Sequence, residues 1–129
     1  MNETITNIDL LNAATELGEA MQDAEPLQKF RAARKNFNND QAAIKLYNDF
    51  VMMQREVQIA QQYGGDAGTE QSKLTDLQEK LFANKNFDDF IKAQNNLLEF
   101  LQEVNSQISA ELPFDFASLA KPAGSSCCG

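Results

Sequence analysis

From Asn86 to Glu111 the apolar residues Phe87, Phe90, Leu97, Leu101, Val104 and Ile108 recur at alternating steps of three and four, Gln94 filling the one polar slot. This is the pattern of a helix with a seam. Asn86 suits the N-cap, Asp88 and Asp89 sit in the first turn where the helix dipole favours carboxylates, and Pro113 forces Leu112 out of helical geometry. Ile91 and Leu98 widen the stripe, so this helix is expected to meet more than one neighbour.

A second seam of similar length precedes it. Ala43, Leu46, Phe50, Met53, Val57 and Ala60 keep the heptad rhythm from Gln41 to Tyr63, with Tyr47, Val51 and Ile59 beside them. Asp40 is the expected cap of this helix, and the glycines of Gly64-Gly65-Asp66-Ala67-Gly68 end it. Shorter helices are read on either side of these two. One covers about Ile8 to Gln22 through Leu10, Ala14, Leu17 and Met21, after a polar and frayed Met1 to Asn7. Another starts at Pro26 and carries Leu27, Phe30, Ala33 and Phe37; a third, capped by Thr69, carries Leu74, Leu77 and Leu81. The break at Asn84-Lys85-Asn86 leaves two arrangements open, a pair of helices or one kinked helix.

The expected fold is therefore all-α, an antiparallel helical hairpin or bundle of about five helices that dimerises through its long helices. The helical domain is read as residues 1–112 and a flexible tail as 113–129. With 129 residues the chain fits one domain with a thin core. Phe37, Phe82, Phe87, Phe90 and Phe100 are more aromatic surface than such a core hides.

The composition narrows the function. Histidine is absent, which removes imidazole acid–base catalysis, Ser-His and Cys-His nucleophile pairs and His-ligated metal sites. No enzyme is expected. A net charge of −8 repels phosphate backbones, so no direct nucleic-acid partner is expected. No apolar run reaches the roughly 20 residues of a membrane span and no signal segment opens the chain, so the expected location is cytoplasmic, away from membranes. Lys29, Arg31, Arg34 and Lys35 form the one basic concentration, either a solvated face or a contact for RNA or an acidic partner. Cys127 and Cys128 are the only thiols. They are either idle thiols, at times joined in a vicinal disulfide, or half of a four-thiolate metal set completed by a second chain or by a partner's cysteines.

The chain resembles the YlbF/YmcA family of bacterial cytosolic regulators, to which YheA-like proteins also belong. The likeness runs through Pro26-Leu27-Gln28-Lys29-Phe30 to Phe37, the Asp40 to Tyr63 helix, the glycine break and the Phe87 to Ile108 helix with Ala93-Gln94-Asn95. Pro113-Phe114-Asp115-Phe116 ahead of a glycine, serine and cysteine ending is its most specific part. The resemblance implies a noncatalytic helical regulatory adaptor that self-associates and binds other regulatory proteins of the same family. It further implies control of messenger-RNA processing by an endoribonuclease, and through it competence, sporulation and biofilm formation. It also implies, as the alternative, a metal or iron–sulfur carrier using Cys127 and Cys128, in a tail with fewer cysteines than the cluster-binding relatives carry.

Overall fold

The structure, a computed structural model, describes residues 3–122. Six helices and no strand occur among the described residues: α1 (Glu3–Gln22), α2 (Glu25–Asn38), α3 (Gln41–Gln62), α4 (Gly68–Ala83), α5 (Lys85–Ser109) and α6 (Phe116–Leu119). The all-α expectation holds. Cys127 and Cys128 lie outside the described residues.

Local chemistry accounts for most of the boundaries. Asp40 has extended backbone and its Oδ1 accepts the Ala43 N–H at 3.0 Å, so α3 begins where a cap was expected. At the other end Gly64 adopts φ +72°, and the Gly65 and Gly64 N–H groups reach back to the Ala60 and Gln61 carbonyls at 2.9 and 3.3 Å. That pair of bonds satisfies carbonyls the helix leaves open, at a backbone angle that favours glycine.

Other boundaries move. α1 starts at Glu3 and not at Ile8. Thr69 lies inside α4; the Asp66 carboxylate receives the Gly68 N–H at 2.9 Å, and the cap falls at Ala67, two residues earlier. Asn84, and not Asn86, caps α5, its Oδ1 accepting the Phe87 N–H at 3.0 Å. With φ −74° and ψ 120°, Asn84 ends α4 and opens α5, so these are two helices separated by one extended residue. The tail read from residue 113 contains α6, whose Asp115 cap receives the Ser118 N–H at 3.0 Å.

The packing also differs from the expectation. The two long helices, α3 and α5, do not run along one another: α2 lies along α5 and α3 along α4. A heptad rhythm shows that a helix has a seam, not which seam it meets, and the shorter α2 and α4 carry stripes of their own. The turn between α2 and α3 and the break between α4 and α5 fall at the same level. There Phe37, Ala43, Leu81 and Phe87 are buried, with Ile44, Leu46, Phe50, Phe90 and Ile91 packed around them. Phe37 stacks on Phe90 at 5.3 Å between ring centroids and lies 5.7 Å from Phe87, while Phe82 meets Phe87 edge-on at 5.2 Å.

Candidate functional site

One polar cluster holds the two helix pairs in register. Asp40 Oδ2 accepts the Asn86 amide at 3.0 Å and the Asn84 amide at 3.3 Å, while Oδ1 caps α3. The Ala43 N–H, then the Asn86 and Asn84 amides, hold the Asp40 carboxyl below its ordinary pKa, because each donates to the ionised form. Asn84 in turn caps α5, so a single linked set of bonds ends or starts three helices. The surfaces on either side inherit their orientation from it.

Of the predicted seam residues, Val57 and Phe87 are buried; Leu46, Phe50, Met53, Phe90, Leu97, Val104 and Ile108 are half-buried. Leu101 departs from the expectation, being 38% exposed, and Leu98 beside it is more so. The reason is geometric. α2 lies along α5 with Phe30 and Phe37 against Phe90, and Ile44, Leu46 and Phe50 of α3 pack around the cluster that holds Phe87. Farther along α5, Leu98 and Leu101 remain exposed.

α1 is barer still. Among the described residues it meets α2 near their join, and Leu10 and Leu11 are each 66% exposed, with Leu17 at 42%. Leu10, Ala14, Leu17 and Met21 fall on one stripe by helical periodicity. Contiguous apolar surface of this kind marks association sites.

The basic residues divide between two faces. Lys29 pairs with Glu25 at 2.6 Å and lines a cleft with Pro26, Asn96, Glu99, Phe100 and Glu103. Arg31, Arg34 and Lys35 gather elsewhere on α2 with Asn38 and Asn39, around a cleft of about 360 Å³. Arg31 Nη1 reaches the Gln22 carbonyl at 3.4 Å, and no ion pair involves these three among the described residues. The geometry thus keeps a cationic patch of three residues and separates Lys29 from it.

No group of three or more His, Cys, Asp or Glu side chains is placed to hold a metal among the described residues, and none of their helices is long and apolar enough to cross a membrane. The chain's two thiols amount to half of a four-thiolate set, so they do not fit a cluster held by one chain.

Two features escaped the sequence reading. The link from Asp40 to Asn84 and Asn86 spans 44 and 46 residues, and its only local signal was an asparagine three positions before Phe87. The second is the anchor of α6. Asn105 donates to the Asp115 carboxylate at 3.3 Å and accepts the Ala117 N–H at 2.9 Å, and Ser109 Oγ accepts the Phe116 N–H at 2.9 Å. The Ser118 N–H and the Asn105 amide together hold the Asp115 carboxyl below its usual range.

The family described as control of competence regulator ComK, YlbF/YmcA, matches residues 10–113. The regulatory protein YlbF of Bacillus subtilis (strain 168) is 24% identical over 111 residues, which span 84% of this chain and 74% of that protein. A UPF0342 protein of Streptococcus equi subsp. zooepidemicus (strain MGCS10565) is 28% identical over 105 residues, 81% of this chain and 93% of that one. Among solved structures, Bacillus subtilis RicA, crystallised in complex with RicF, is similar with a TM-score of 0.72 at 22% identity, covering 79% of this chain and 91% of that chain. At that identity the likeness is one of fold.

Proposed function

The chain belongs to the YlbF/YmcA family of competence regulators, and from that membership we propose that it is a noncatalytic regulatory adaptor working through protein–protein contacts. The observation that carries this reading is the bare apolar stripe on α1 together with that of Leu98 and Leu101 on α5. Surfaces of this kind lower their free energy by being covered, at about 25 cal/mol for each Å² of apolar area removed from water. A complex is reported for RicA, a protein of the same fold, with RicF. For this chain the partners are proposed to be proteins of its own family and, by the resemblance, an endoribonuclease that processes messenger RNA. Its cellular setting would then be the cytoplasm and its output competence, sporulation or biofilm control.

The test is capture from the source organism by the tagged full chain, purified anaerobically, with iron and sulfide measured on the same sample. A metal-free protein that retains family partners, equally well after Cys127→Ser with Cys128→Ser, is the expected result. Stoichiometric iron and sulfide, with capture lost in the cysteine variant, would replace the adaptor with a cluster carrier. Turnover of a defined substrate, abolished by one substitution, would replace it with an enzyme.

A further inference from the structure

The cations of α2 are of two kinds. Lys29 pairs with Glu25 one turn away, as Lys45, Lys85 and Lys92 pair with carboxylates on their own helices. Arg31, Arg34 and Lys35 are placed otherwise: the positions three and four residues to either side of each hold only apolar, amide or basic residues. Along the helix these three neighbour one another, so their charges repel. Lys35 lies in the last turn, where the helix dipole favours a cation, but Arg31 and Arg34 precede it. The chain carries 19 acidic residues, yet no carboxylate pairs with these three among the described residues.

With Asn38 and Asn39 the three surround a cleft of about 360 Å³, and all five residues are exposed. Asn39 also borders a neighbouring cleft, where the one carboxylate is that of Asp40. Its oxygens already accept from the Ala43 N–H and from the amides of Asn84 and Asn86. Arg31 Nη1 reaches the Gln22 carbonyl at 3.4 Å, which occupies one of the five N–H donors of its guanidinium.

We propose that this patch docks an acidic segment of a protein partner, whose aspartate or glutamate carboxylates are received by Arg31 and Arg34. A guanidinium takes a carboxylate through two parallel N–H donors, a geometry that an ammonium lacks. Phosphate fits the same fork, and two observations favour the peptide over a nucleic acid. No ring stands exposed among the cations to stack a base, since Phe30 is half-buried and Phe37 buried. A net charge of −8 repels a long run of phosphates, whereas a short acidic segment needs only the patch.

This rests on the adaptor reading and gives one of its contacts a chemistry. The full chain is titrated into a labelled glutamate-rich peptide, and in parallel into labelled single-stranded polyuridine of equal charge, with circular dichroism as the check on folding. Fluorescence anisotropy is read at about 0.15 M salt, where distant charges are screened. The peptide should bind, and Arg31→Gln with Arg34→Gln should weaken it by about tenfold or more. Arg31→Lys with Arg34→Lys keeps the charge without the fork and should fall between the two. Lys73→Gln with Lys80→Gln removes as much charge from α4 and should bind like the parent.

A peptide that does not bind overturns the proposal, as does one indifferent to the arginine substitutions or equally weakened by those on α4. Polyuridine held more tightly than the peptide by the same arginines overturns it in favour of a nucleic-acid contact. An Arg31→Gln, Arg34→Gln chain that captures family partners as well as the parent sinks the patch and leaves the adaptor standing. A parent that binds the peptide through the arginines but captures nothing does the reverse.

Discussion

The Asn86 side-chain amide donates to Asp40 Oδ2 across 3.0 Å, joining residues 46 positions apart. Asp40 is at once the cap of α3 and the acceptor for the residues that open α5. Replacing it with alanine removes the cap and leaves two amides without an acceptor. Asp40→Ala should therefore lower the thermal midpoint by several degrees, and by more than Asn86→Ala, which removes one donor. Equal midpoints for Asp40→Ala and the parent chain would show that the cluster contributes nothing to holding the pairs together.

The same carboxylate makes stability depend on acidity. Asp40 and Asp115 both titrate below their ordinary values in the folded chain, each because backbone and side-chain N–H groups donate to the charged form. A carboxyl of that kind contributes stability that is fully present above its unfolded pKa, about 3.9, and disappears as the pH falls through the lower folded value. The thermal midpoint should hold at neutral pH and decline below about pH 4. Asp40→Asn, which keeps a capping oxygen but cannot ionise, should make that decline shallower.

Core and surface leucines should separate cleanly. Leu81 is 1% exposed at the centre of the molecule, and Leu81→Ala should cost about 2–5 kcal/mol by urea denaturation, the range for truncating a fully buried leucine. Leu101→Asp should cost the isolated chain only about 0.5 kcal/mol, the scale of surface changes, yet abolish association. A loss for Leu101→Asp as large as that for Leu81→Ala would place Leu101 in the core.

Two glycines should respond with opposite signs. Gly64 holds φ +72°, so Gly64→Ala should destabilise by about 1 kcal/mol even though open space surrounds the new methyl. Gly18 sits within α1 with nothing near its missing Cβ, and Gly18→Ala should raise the helicity and stability of that helix by up to about 1 kcal/mol. Circular dichroism through the thermal transition reads both.

Hydrogen exchange should report on α6. Its four residues are held to α5 by Asp115, Asn105 and Ser109. Asp115→Ala should speed exchange at the Ala117 and Ser118 amides while leaving the α4 amides near Leu81 unchanged. Faster exchange throughout would show α6 to be part of the main cooperative unit.

The parts of this architecture that were legible in sequence are those with a local signal. Asp40 ahead of an apolar rhythm and Gly64 behind it bracket α3 correctly, and the seam of α5 is real. Partner choice was not legible, since Leu46 and Leu97 have equally good seams and only the turns decide that α4 meets the first and α2 the second. Leu101 reads as core because periodicity reports a face, not whether a neighbour is long enough to cover it. α6 is too short to show a period, and its anchors at Asn105 and Ser109 are ordinary polar residues on an otherwise regular helix.

The Asp40 knot also rules on slippage. Greasy ridges alone would let one rod ratchet past another by a turn, about 5.4 Å, with little change in the area they hide. Such a step would tear a carboxylate from two amides at once and strand all three. The molecule therefore behaves less like two sticks in grease than like a pair of shears, its rivet set at one point and its blades phased by it.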